Sequence, residues 1–276
     1  MPTASAGTRL PPSDDENDLL ALFDDPACRP STGAHVRAVM LATLDGAVTG
    51  PDGRAGSAGD PADRRLFAAL RALADVVLVG AGTVRAEGYE TVQVPEALRA
   101  VRAARGRPHE VTLAVVTASA ALPEPLLTAT PPPLVLTTST APGLPALRER
   151  LGADRVLIAD GPDPGHVDPL TAVRALAERG LTHVHAEGGP RLLGELLAAG
   201  VVDELCLTIG ARLVGGTARR VVDTPVWLDP VIETELVLLL RGGGTLLGRW
   251  RVPGRGRVPG RGRVPSAPGA SPRLVR

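Results

Sequence analysis

Glu187, Gly188, Gly189 and Pro190 stand between a short apolar run and an amphipathic stretch that continues through Arg191, Leu192, Leu193 and Gly194. Backbone N–H groups at a helix start lack internal partners, and the helix dipole sets positive charge behind them. Glycines let a phosphate approach that backbone, and Pro190 suits the first helical position because it has no N–H to leave unpaired. Glu187 adds a carboxylate at the mouth of the turn. The pattern fits a cradle for a nucleotide phosphate beside a polar substrate group, or an ordinary strand-to-helix turn.

A second cluster, Gly80-Ala81-Gly82-Thr83-Val84-Arg85-Ala86-Glu87, also follows an apolar run. Thr83 is placed to cap a helix or to donate its hydroxyl to a phosphate. Arg85 occupies the third glycine position of a dinucleotide fingerprint, and the chain has no lysine for a P-loop. Two glycine-rich strand ends in one sheet point to a ligand at the carboxyl edge of the strands. Asp45-Gly46, closing the run Met40 to Leu44, reads as a turn or as a third group at that edge. His185-Ala186-Glu187 spells the first half of a zinc deaminase signature, but Cys206 is the only cysteine downstream and no third ligand is evident, so no metal is expected.

The elements needed to position these groups follow from apolar patterning. Strands are expected over 36–44, 76–80, 111–116, 134–138, 156–158, 182–186 and 205–209, with a closing pair over 235–240 and 246–252. Helices are expected over 61–74, 145–150, 168–179 and 190–199. Strands alternating with helices imply an α/β fold: a mainly parallel sheet covered on both faces, with an antiparallel hairpin at the end. Residues 35–252 read as one domain. Residues 1–34 read as a loose arm with one short apolar patch at Leu19–Phe23. Residues 253–276 read as a disordered Pro/Gly/Arg tail, because such sequence cannot bury apolar area.

The chain has 276 residues, of which 44% are hydrophobic and only 2% aromatic, so its core is aliphatic. All 30 basic residues are arginine, which excludes Schiff-base chemistry. Outside the tail, 24 arginines face 30 acids, and an acidic body does not suggest a nucleic-acid binder. Cys28 and Cys206 are far apart, and no apolar run reaches the roughly 18 residues of a membrane span. A soluble cytoplasmic protein is expected.

Five motifs occur in a telling order: Ala42-Thr43-Leu44-Asp45-Gly46, Asp60-Pro61-Ala62-Asp63-Arg64-Arg65, the Gly80–Glu87 cluster, Glu187–Leu193, and Val202-Asp203-Glu204-Leu205. Over about residues 35–252 they resemble the reductase domain of riboflavin biosynthesis, the C-terminal half of the bifunctional deaminase-reductase. The resemblance implies a dihydrofolate-reductase-like fold. It also implies NADPH as hydride donor, and reduction of the ribosyl group of 5-amino-6-(5-phosphoribosylamino)uracil to ribityl.

Carried over by position, the resemblance puts Ala42 and Asp45 where nicotinamide and pyrimidine meet. Asp45 and Glu187 then become the candidate catalytic groups. Arg71 and Glu187 match substrate-binding positions. Cofactor contacts fall on Ser57, Gly80, Gly82, Thr83, Glu87, Gly188, Gly189, Pro190, Arg191, Leu192, Leu193 and Gly194. Thr117 and Ser119 are candidates for the adenosine-ribose phosphate. The sequence departs from the family at Ala55-Gly56-Ser57, where a Ser-Gln-Trp-like stretch is usual. It departs again near Val94, where the family places a phosphate-binding arginine; Arg99 or Arg102 would have to substitute. The implied partners are a small pyrimidine substrate and a second copy in a homodimer, with a separate deaminase for the preceding step. Two other readings remain open: a reductase of the same fold for another pyrimidine or pterin-like substrate, and a nucleotide-binding paralogue without catalysis.

Overall fold

The computed structural model describes residues 8–9, 16–24, 32–57 and 59–253. Its strands are β1 (Thr8–Arg9), β2 (His35–Thr43), β3 (Val76–Gly80), β4 (Thr112–Val116), β5 (Leu134–Thr137), β6 (Val156–Ile158), β7 (His183–Ala186), β8 (Glu204–Gly210), β9 (Glu235–Gly242) and β10 (Thr245–Arg251). They form one sheet in the order β1-β9-β10-β8-β2-β7-β3-β4-β5-β6. All pairings from β8 through β2, β7, β3, β4 and β5 to β6 are parallel, while β10 runs antiparallel to both β8 and β9. The central strands are buried on both faces, so they read as continuous apolar runs rather than alternating ones.

Helices α1 (Glu16–Phe23), α2 (Pro61–Leu73), α3 (Ala81–Glu87), α4 (Glu96–Ala104), α5 (Glu124–Leu127), α6 (Leu144–Leu151), α7 (Pro169–Ala177) and α8 (Pro190–Ala198) cover it. One core joins α1 and α2 to the sheet through Leu19, Leu20, Phe23, Leu66, Leu70, Val77 and Val115. A second joins α7 and α8 through Leu176, Leu193, Leu196, Val36 and Leu78, and a smaller third packs α6 on the sheet through Leu144, Leu147, Val135 and Val156. This is the fold class expected, with strand limits shifted by a residue or two.

The starts of α2 and α8 orient the site. Asp60 caps α2 by accepting from the Asp63 N–H at 2.9 Å, and Pro61 takes the first helical position. Pro190 does the same for α8, but its cap residue is Gly189, which offers no side chain. The residues over 16–23, read as part of a loose arm with a short apolar patch, form two turns with Leu19, Leu20 and Phe23 at most 1% exposed. Arg37 and Arg249, on β2 and β10, donate to the carbonyls of Phe23 and Leu22 at the end of α1. Both guanidinium groups also bind Glu204 on β8. Apart from Pro253, the Pro/Gly/Arg tail lies outside the described residues.

Candidate active site

The carboxyl ends of β2, β3, β4 and β7 open into a cleft of about 1680 Å³. That exceeds the roughly 300–1,000 Å³ of a pocket for a single drug-sized ligand, and suits a dinucleotide with a second molecule beside it. Both glycine turns meet on its floor. The Gly80 N–H donates to the Gly188 carbonyl at 2.8 Å, and the Glu187 N–H to the Leu78 carbonyl at 2.9 Å. Gly188 takes φ +79, and a Cβ there would stand 2.8 Å from the sulfur of Met40. A Cβ on Gly189 would stand 2.7 Å from Thr83 Oγ1. The turns therefore interlock only because both positions lack side chains.

Beside the glycines lies a buried polar cluster. The Glu187 carboxylate accepts from Arg71 Nε at 2.6 Å, from Arg71 Nη2 at 2.7 Å and from the Tyr89 hydroxyl at 2.5 Å. The Arg71 guanidinium lies 4.4 Å from the Phe67 ring centroid and 5.8 Å from that of Tyr89. Burial alone would lower the Arg71 pKa, but the Glu187 hydrogen bonds and charge raise it, so this arginine stays charged. Burial and the Glu187 charge push the Tyr89 phenol above its ordinary range, so it remains a donor. Behind Glu187, His185 is fully buried with neither ring nitrogen hydrogen-bonded, and burial lowers its pKa to about 4. The imidazole is neutral.

Helix α2 adds a second row. Asp63, Arg64, Phe67 and Arg71 all line the cleft, and the spacing of positions 63, 67 and 71 sets one such side chain on each turn. Burial raises the Asp63 pKa, a Thr208 hydrogen bond and Arg64 acting against it and the nearby Asp60 charge with it. Arg64 and Arg85 line the cleft without a salt bridge to any described residue.

Most of the expected cofactor positions share this cleft: Gly80, Gly82, Thr83, Glu87, Thr117, Ser119, Gly189, Pro190, Arg191 and Leu192. Glu87 also accepts from the Ala55 N–H at 2.9 Å, tying down the 3-10 turn Ala55–Ser57. Ala55 and Gly56 of that turn line the cleft.

Other expectations are corrected. Asp45 lies outside the cleft, and its carboxylate accepts from the Thr43 hydroxyl and from the N–H groups of Gly215 (2.6 Å) and Val214 (3.0 Å). The Thr43 bond and those amides hold its pKa at about 2, and the carboxylate ties β2 to the loop at Val214 and Gly215. Ala42 is buried in β2, and Gly188 sits under the turn rather than in its open face. Leu193 points into the core. Gly194 faces away, because a Cβ there would stand 2.5 Å from Thr224 and 2.9 Å from the Asp223 carbonyl. Arg102 is fully buried and donates to the carbonyls of Ala72, Ala74, Pro108 and Glu110, while Arg99 pairs with Glu96. Neither lines the cleft, and Val94 is packed in the core.

The arrangement is matched by a known family: the RibD C-terminal domain matches residues 34–247. The chain belongs to that family. That family is the reductase of riboflavin biosynthesis. Over 61 residues the chain is 38% identical to the riboflavin biosynthesis protein RibD of Escherichia coli K12, a stretch covering 22% of this chain and 17% of that protein. It resembles the solved pyrimidine reductase-like protein of Corynebacterium diphtheriae at 25% identity and a TM-score of 0.70, covering 83% of this chain and 96% of that one. The riboflavin biosynthesis reductase Rib7 of Saccharomyces cerevisia shares the fold at 18% identity and a TM-score of 0.59, with coverage of 82% and 93%. RibD of Acinetobacter baumannii also shares it, at 19% identity and a TM-score of 0.62. That alignment covers 81% of this chain but only 59% of that one.

Among the described residues no helix is long and apolar enough to cross a membrane, and no group of three or more His, Cys, Asp or Glu side chains is arranged to hold a metal. Sequence reasoning missed Tyr89, Asp63 and Arg64. Asp63 and Arg64 sit inside a motif that was recognised, so helical spacing from Arg71 was the available signal.

Proposed function

We propose that the chain is an NADPH-dependent reductase of riboflavin biosynthesis, reducing the ribosyl group of 5-amino-6-(5-phosphoribosylamino)uracil to ribityl. One observation carries the reading: a single cleft joins a phosphate-sized glycine cradle to a buried, charged floor. The residues fit a dinucleotide. The uncapped start of α8, with Gly189 against Thr83, offers backbone N–H groups to a pyrophosphate. Thr117 and Ser119, whose hydroxyls lie 3.4 Å apart, offer donors to the adenosine-ribose phosphate. When bound, NADPH supplies a hydride.

The chain's own residues do the rest. Arg71 and its partners fix the pyrimidine. Arg64 and Arg85 supply charge for the substrate phosphate in place of the family's missing arginine. Asp63, whose carboxyl is held protonated more strongly than usual, delivers the proton required when the sugar carbon is reduced. The homodimer is part of this reading, with exposed Leu213, Val226, Trp227 and Val231 as the surface it would cover. So are a separate deaminase and a cytoplasmic location.

The test is NADPH oxidation with the ribosylaminouracil phosphate, with NADH run alongside. Turnover with NADPH and little with NADH is expected. Binding of NADPH without turnover of any pyrimidine would replace this reading with a non-catalytic paralogue. A second substrate is favoured by one observation, the absence of a cleft-facing arginine at 94, 99 or 102. Turnover of the unphosphorylated riboside at equal efficiency would establish it.

A further inference from the structure

Residues 211–234, between β8 and β9, form neither helix nor strand. A connection longer than about 12–15 residues without secondary structure is usually either disordered or functional. This one is pinned along its length. At one end the Leu44 N–H donates to the Arg212 carbonyl at 3.0 Å, and Asp45 accepts from the Val214 and Gly215 N–H groups. Further on, the Val48 N–H donates to the Arg219 carbonyl at 3.1 Å. Next, the Asp223 N–H donates to the Pro190 carbonyl at 3.1 Å, and Asp223 and Thr224 fill the space that a side chain on Gly194 would need. The segment thus forms a strap from the end of β2 to the first turn of α8. Between those clasps Thr217, Ala218 and Arg219 line the cleft. Arg219 Nη1 stands 3.6 Å from Asp223 Oδ2, and the two side chains are 69% and 45% exposed. So loose an ion pair contributes little, which leaves the guanidinium able to exchange its partner for a stronger one. A phosphate is such a partner, because two of its oxygens accept guanidinium N–H groups side by side.

We infer that Arg219 binds a phosphate group in the cleft, and that Asp45 is a positioning residue that holds the strap carrying it. This deepens the reductase reading and rests on its dinucleotide half. Two phosphate sources enter such a cleft, the dinucleotide's pyrophosphate and the substrate's phosphate. The clasp on α8 favours the first. Asp223, the partner of Arg219, is bonded to the first residue of the helix whose start offers N–H groups to the pyrophosphate. The cofactor is then held by backbone N–H groups of α8 and by a side-chain charge from the strap. Asp45, which does not line the cleft, acts on binding through the strap alone.

The test is calorimetry on the full chain with Arg219→Met, Arg219→Lys, Asp45→Ala and the pair Asp45→Ala with Arg219→Met. Asp45→Asn stands in should the alanine variant fail to fold. Kd is measured for NADPH, and for the ribosylaminouracil phosphate and its unphosphorylated riboside with the NADP⁺-loaded protein. Arg219→Met should weaken NADPH about 10-fold with the melting temperature unchanged, and the difference should shrink in about 1 M salt. Arg219→Lys should recover part of the loss. Asp45→Ala should weaken NADPH as well, yet add little once Arg219 is methionine. A loss that falls instead on the phosphorylated pyrimidine, and not on its riboside, would assign Arg219 to the substrate's phosphate. Unchanged Kd for both phosphate ligands overturns the inference. So does a loss that lysine does not relieve and salt does not diminish, which is a packing effect. Equal effects of Asp45→Ala in the two backgrounds remove Asp45 from it. If NADPH responds as expected but no pyrimidine is turned over, the reductase reading fails and the assignment of Arg219 stands.

Discussion

Thr83 Oγ1 lies 2.7 Å from the point where a β-carbon on Gly189 would stand, so the first turn of α3 and the start of α8 close on each other with no room to spare. Gly189→Ala must push Thr83 away or move the turn. NADPH affinity should fall at least about 10-fold, since a backbone anion site tolerates little displacement. In a Thr83→Ala background the same change should cost much less. Calorimetric titration with NADPH measures both, and equal losses in the two backgrounds would show that the contact is not the cause.

Arg64 and Arg102 are both arginines on neighbouring helices, yet they should fail differently. Arg102→Met leaves several buried carbonyls unpaired and should cost about 2–4 kcal/mol of stability. Its effect on the KM of the pyrimidine should be small. Arg64→Ala should leave the melting temperature nearly unchanged and raise that KM at least about 10-fold. The increase should shrink for a substrate without the phosphate. Urea melts and initial rates separate the two cases.

Asp63→Asn should lower kcat about 100-fold with little change in the affinity for NADPH, because it removes a proton and keeps the shape. For the wild type, kcat should fall as pH rises through the elevated Asp63 pKa. A flat pH profile together with an active Asn variant would assign the proton to water.

Acid should destabilise the fold well above the ordinary carboxylate range. His35 and His185 are buried, and burial lowers each pKa from 6.5 to about 4. Between those values the unfolded chain holds protons that the native chain refuses, so stability falls as pH drops from about 6.5 to 4. Asp203 acts oppositely: burial raises its pKa from 3.8 to about 6, so its native form holds the extra proton between pH 4 and 6. The net uptake on unfolding should be about one proton in that window. His185→Leu should flatten the slope of stability against pH, as followed by urea melts from pH 7 to 4.5. A slope unchanged by that substitution would locate the effect elsewhere.

Trp227 is 87% exposed, and Val226, Val231 and Leu213 are exposed as well. If these residues pair two copies, light scattering should give a dimer in the wild type and a monomer for Trp227→Glu. A wild-type monomer at micromolar concentration would remove the dimer from the reading.

The strands were legible because a parallel sheet buried on both faces has to be written as apolar runs. Both glycine turns were legible because a close approach of two backbones is written as glycine. Other features depend on distant partners. The carboxylate of Asp45 is taken by the amides of Val214 and Gly215, 169 and 170 residues away, and no local pattern announces that. Tyr89 reaches Glu187 across 98 residues. Gly194 looks like a phosphate glycine in sequence, but it is small because Thr224 packs on it. Helix α4 escaped because one of its core positions is Arg102, a charge that only its ring of carbonyls makes tolerable.

The family match begins at residue 34, yet Leu19, Leu20 and Phe23 of α1 belong to the main core, and Arg37 and Arg249 hold the end of that helix. The evolutionary unit and the folding unit therefore have different borders. A chain begun at Ala34 would bare the apolar seat of α1 and leave two buried guanidinium groups short of acceptors. Its aggregation would be a consequence of where it was cut, and would say nothing about the reductase fold.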